Sequence, residues 1–134
     1  MNEKKLFRIL IADDNQTARK GLGALLNSFN RKRVQEFNIE IVGEAGNGQE
    51  AVALALDLIP DLIFMDIKMP LMDGLEATKM IKEKLKDTRV VVLSMHGDQR
   101  EAAIQSGADD FIEKGTHPQT IKQMVSGFIL KNGE

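Results

Sequence analysis

The sequence predicts an α/β fold: a doubly wound (βα)5 domain with a five-stranded parallel sheet and helices on both faces. Five short runs rich in Ile, Val, Leu and Phe, bounded by Gly, Pro, Asn or Asp, alternate with amphipathic helical stretches. The first, third and fourth runs lack clean polar alternation, as expected of parallel strands covered on both faces. Such alternation makes βαβ units with right-handed crossovers, and hence one parallel sheet between helix layers.

The expected strands, in order, are "FRILIA" (7–12), "IEIVGEA" (39–45), "DLIFMD" (61–66), "RVVVLS" (89–94) and "DDFIEK" (109–114). After the first, Ala18, Leu22, Leu25, Leu26 and Phe29 keep the spacing of one helix face. Ala51, Leu54, Ala55 and Leu58 repeat it after the second, and Ala77, Ile81 and Leu85 after the third. Segment 98–106 is a weaker helix, apolar mainly at Ala102, Ala103 and Ile104. The last helix carries Ile121, Met124, Val125 and Phe128 on one stripe. The segment 27–38 makes the first strand-to-strand connection long and holds the cluster Arg31, Lys32, Arg33. It reads first as a solvated helix end or loop, and second as a contact for a partner or nucleic acid.

At 134 residues, 43% of them apolar and 28% charged, the chain is expected to be one globular domain. A net charge of −2 gives no general attraction to nucleic acid or anionic membrane. The lack of cysteine removes disulfides, thiol catalysis and cysteine-bound metal, and two histidines, His96 and His117, argue against a histidine-rich metal site. With no signal-peptide pattern and no membrane-length apolar run, a cytoplasmic location is expected.

Ligands of an open parallel sheet sit beyond the carboxyl ends of its strands. The residues closing the expected strands are Asp13 and Asp14, then Asp66, Ser94 and Lys114. Alignment alone delivers three carboxylates, a hydroxyl and an ammonium to one rim. Crowded carboxylates are pushed toward protonation unless a cation joins them, and Mg2+ favours oxygen ligands. Such a cluster suits phosphoryl transfer, with an Asp carboxylate able to serve as nucleophile. Taken singly, Asp13 or Asp14 reads as a helix N-cap, Ser94 as a loop residue and Lys114 as a solvated lysine. Their common rim is what changes the reading. Asp61, at the opposite end of its strand, and Asp57, on a helix, read as structural.

The segments "ILIADDN", "DLIFMDIKMPLMDGLEA", "VVVLSMHG" and "GADDFIEKG" resemble, in order and spacing, those of response-regulator receiver domains of two-component systems. The resemblance covers about residues 7–131, and its pattern is most similar to receivers attached to helix-turn-helix (LuxR-type) DNA-binding domains. It implies a phosphorylation-activated switch in which Asp66 accepts a phosphoryl group from a sensor histidine kinase or phosphotransfer protein. It further implies Mg2+ held by Asp14 and Asp66, by Asp13 largely through water, and by the backbone carbonyl of Lys68. Lys114 would hold a phosphate oxygen, Ser94 would swing to bond the phosphate, and Phe111 would turn inward. The face of helix 98–106, the fifth strand and the last helix would then control a partner or an attached DNA-binding domain. The domain would be no enzyme beyond its own phosphorylation and dephosphorylation.

Gly115 stands where the family usually has a cis proline, so the bond after Lys114 is expected to be trans, or strained if cis. Lys68 and His96 flank the site at positions that in the family modulate hydrolysis of the aspartyl phosphate. No output domain is read in 1–134, leaving a stand-alone receiver or one cut from a longer regulator. Pairing of two copies, through the 98–106 face or through the first and last helices, is open. The competing readings are a phospho-independent pseudo-receiver interaction module and a metal-dependent phosphatase of external substrates. The second expects a cap insertion that the short loops do not supply.

Overall fold

The structure, a computed structural model, describes residues 5–31 and 37–132. Strand and helix alternate as β1 (Lys5–Ala12), α1 (Gln16–Ser28), β2 (Phe37–Ala45), α2 (Gly48–Leu58), β3 (Leu62–Asp66), α3 (Gly74–Lys84), β4 (Arg89–Ser94), α4 (Arg100–Gln105), β5 (Asp110–Glu113) and α5 (Pro118–Asn132). Single 3-10 turns follow α1 (Phe29–Arg31) and precede α4 (Gly97–Gln99). All pairings are parallel, in the order β2-β1-β3-β4-β5. The chain winds one way from β1 to β2 and the other way from β3 onward. Between β1 and β3 the connections diverge and leave a crevice at the carboxyl edge, the usual ligand position of an open α/β sheet.

The strands are apolar throughout because each serves two cores. Leu10, Ala12, Ile63, Met65, Val90 and Val92 pack on α2, α3 and α4 through Ala51, Ala55, Ala77, Ile81 and Ala103. Their neighbours Ile9, Ile11, Phe64, Val91 and Leu93 face α1 and α5 through Leu26, Val125 and Phe128. Successive side chains of a strand point to opposite faces, so a doubly covered strand has no polar position to spare.

The expected strands fall within two residues of those observed. The helical stripes need two corrections. Ala18, in the first turn of α1, is exposed. The segment 98–106 is a 3-10 turn joined to six residues of α-helix, in which Ala103 is buried while Ala102 is exposed and Ile104 is 47% exposed. A helix of under two turns has room for one contact row on the sheet. Of the basic cluster, Lys32 and Arg33 lie outside the described residues.

Candidate phosphoryl-transfer site

Local capping decides which acids are free for chemistry. Helix α1 is capped by Asn15, whose side chain accepts from Ala18 N–H at 3.0 Å, so neither Asp13 nor Asp14 serves as that cap. Asp13 continues β1, its N–H donating to Ala45 O at 2.9 Å. Asp73 takes the cap of α3, accepting from Glu76 N–H at 2.9 Å. Asp66 is thus left at the end of β3 with its carboxylate uncommitted to a helix.

Gly74 lets α3 begin directly against that strand end. Its N–H donates to Ile67 O at 2.8 Å, and a Cβ there would lie 1.9 Å from the Asp66 carbonyl oxygen. On the far side, Lys114 N–H donates to Ser94 O at 2.7 Å, tying the ends of β4 and β5. No cis peptide occurs among the described residues. Gly115 solves the turn after Lys114 with φ of +92°, a conformation closed to proline.

These elements bring all five expected rim residues together. Carboxylate oxygens of Asp13, Asp14 and Asp66 lie within 4.8 Å of one another. The Lys114 ammonium bridges two of them, 2.9 Å from Asp13 Oδ2 and 3.3 Å from Asp66 Oδ1. Asp13 Oδ1 accepts from Asn15 N–H at 2.9 Å, so both Asp13 oxygens have protein partners. Asp13, Asp66 and Ser94 are buried, whereas Asp14 is exposed. A cleft of about 200 Å³ opens over the cluster, lined by Asp14, Asp66, Lys68, Ser94, Gln99 and Lys114 among others.

One ammonium does not balance three carboxylates. Burial, and then the neighbouring Asp13 charge, push the Asp66 carboxyl up to about 6 against the opposing pull of Lys114. Burial acts to lower the Lys114 ammonium, but the Asp13 and Asp66 carboxylates outweigh it and the net shift is upward. Lysine therefore stays charged, and the excess is negative. The pocket can accept a cation, an electrophile, or both.

A model of the response regulator receiver domain matches residues 9–126. The chain belongs to the response regulator receiver family. The transcriptional regulatory protein LiaR of Bacillus subtilis (strain 168) is 39% identical to this receiver over 122 residues, 90% of this chain and 54% of LiaR. The chain thus spans about half the length of that relative. The solved REC domain of AraT, a response regulator from Geobacillus stearothermophilus, is 34% identical, with a TM-score of 0.78 and 95% of each chain covered. The CheX–CheY–BeF3–Mg complex of Borrelia burgdorferi shows 28% identity and a TM-score of 0.80, covering 92% of this chain and 89% of that one. As a receiver, the domain is a phospho-signalling switch.

Several placements in this receiver go beyond the strand ends. Phe111 already lies inward, 2% exposed, with the Arg100 guanidinium 5.1 Å over its ring and donating to its carbonyl at 3.4 Å. That is the position which the family resemblance assigns to the activated state. Lys68 and His96 are exposed on the cleft wall. Two contacts escaped sequence reasoning: Arg19 Nη1 donates to the Asp13 carbonyl, and Gln99 faces Ser94. The signal for Gln99 was its place five residues past a strand end, on the turn that must fold back over the rim.

Proposed function

We propose that Asp66 is the phosphoacceptor of this receiver and that the rim holds Mg2+ during transfer. The observation carrying the reading is the Lys114 ammonium set between Asp13 and Asp66 at the foot of an open acidic cleft. An Asp66 oxygen attacks the phosphorus of a phosphohistidine on a sensor kinase or phosphotransfer protein. The P–N bond breaks, its electron pair stays with the imidazole, and an acyl phosphate forms on Asp66. Lys114 meets a phosphoryl oxygen from one side, and the Ser94 hydroxyl donates to another.

The donor set fits a hard divalent cation, being all oxygen, clustered and in excess of local positive charge. Asp14 and Asp66 would hold the ion directly, together with the Lys68 carbonyl. Asp13, whose two oxygens already accept from Asn15 and Lys114, would act largely through water. Bound Mg2+ supplies charge that favours ionised Asp66 and neutralises the phosphoryl oxygens. The CheX–CheY complex, which holds BeF3 together with Mg, supports the same pairing here.

Hydrolysis of the acyl phosphate by water at the same site returns the domain to its resting state. The output of the switch is the face of α4, β5 and α5, acting on a partner or, as LiaR's name suggests for a longer regulator, on transcription. Acetyl phosphate with Mg2+, followed by borohydride reduction and peptide mass mapping, tests the assignment. Homoserine is expected at position 66; homoserine at Asp13 or Asp14 instead would refute it.

A further inference from the structure

Ser94 closes β4 with a hydroxyl whose one proton is already engaged. Its oxygen accepts from His96 N–H at 3.1 Å, and its proton goes to the side-chain oxygen of Gln99. Gln99 ends the 3-10 turn Gly97–Gln99, is held by its own N–H to His96 O at 3.2 Å, and lines the same cleft as Asp66 and Lys114. A serine hydroxyl has one proton to donate. While Gln99 takes it, none is left for a phosphoryl oxygen on Asp66.

We propose that Gln99 is a positioning residue that holds the Ser94 hydroxyl away from the phosphoryl group, so that activation requires Ser94 to exchange Gln99 for phosphate. The inference rests on Asp66 being the phosphoacceptor. Phe111 already lies inward in this structure, so the exchange at Ser94 is the part of the switch still to be made. The competitor is neutral and half-buried, and its loss creates no buried charge. Removing it makes the phosphorylated geometry easier to reach, whereas removing Ser94 makes it harder.

The test uses the full 134-residue chain, with Mg2+ and beryllofluoride as the phosphoryl mimic and calorimetry as the readout. Gln99→Met keeps the length of the side chain and removes the acceptor; Gln99→Ala removes both. Thermal melts check that each variant is folded. The modest net value of one hydrogen bond predicts beryllofluoride binding tighter by about 3- to 10-fold in both variants. In a Ser94→Ala background the same substitutions should change nothing, because the competition has lost its object. Unchanged or weaker binding in both folded variants, or an equal gain without Ser94, would overturn the inference alone. Failure of the wild-type chain to bind beryllofluoride with Mg2+ would take the phosphoacceptor reading down with it.

Discussion

The two edges of the sheet use the same residue types to opposite ends. At the amino edge, Asp61 and Asp109 are both matched. Asp61 Oδ2 accepts from Arg8 N–H at 2.8 Å, and Asp61 N–H returns a bond of 2.8 Å to Arg8 O. The Arg8 guanidinium donates to Leu58 O and Ile59 O, closing the end of α2. Asp109 Oδ2 accepts from Val90 N–H and from Lys82 Nζ, and Lys82 also donates to Thr88 O. Thr88 Oγ1 in turn donates to Pro60 O at 2.8 Å. These side chains stitch strand starts to neighbouring loops. At the carboxyl edge, three carboxylates share one ammonium, and Asp66 is pushed up to about 6. Polar groups balanced in charge and hydrogen bonding hold a fold together; the set left with excess negative charge is the one with chemistry left to do.

Substitutions at the two edges should therefore move stability in opposite directions. The largest effect is expected at the rim, in the metal-free protein. A carboxyl whose folded pKa is raised contributes stability that is present below its unfolded value near 3.8 and is lost as pH rises through about 6. Wild-type protein in EDTA should thus lose stability across that interval through Asp66, by about 1–2 kcal/mol once its coupling to Asp13 and Lys114 and solvent screening are allowed for. Asp66→Asn should flatten this part of the profile and be the more stable protein at pH 7. Chemical denaturation against pH checks both, and a steeper loss in the variant would break the comparison.

At the amino edge, Asp61→Ala should destabilise by about 1–3 kcal/mol by stranding the Arg8 N–H, with no change in phosphate uptake by the folded fraction. Thr88→Val should cost about 1 kcal/mol, the worth of one hydrogen bond, again without touching uptake. Urea titration paired with the uptake assay separates these from rim effects. The smallest change belongs to the surface pair of Lys20 with Glu44, whose carboxyl is held below its ordinary value chiefly by that lysine. Lys20→Gln should shift stability by less than about 0.5 kcal/mol, an effect that should vanish in high salt.

The contrast also explains what could be read from the residues in order. Asp13, Asp14, Asp66, Ser94 and Lys114 were legible because parallel strands place their last residues side by side, and an apolar run marks where each strand stops. The matched pairs were less so. Asp61 reads as structural from its position, but its bonds to Arg8 depend on how β1 and β3 are registered. The weak helix 98–106 hid its most informative residue, because a single turn gives no periodicity from which to orient Gln99. Gly115 was visible as a departure from the proline pattern, but that its φ is +92° depends on the turn closing over Lys114.

The unmatched rim, on this reading, exists to take a phosphoryl group on Asp66. Intact-protein mass after incubation with acetyl phosphate tests this most directly, with Mg2+ or EDTA, for wild type and Asp66→Asn. The expected result is a gain of one phosphate that requires both Mg2+ and Asp66. A gain of equal size in Asp66→Asn, or one indifferent to EDTA, would contradict it.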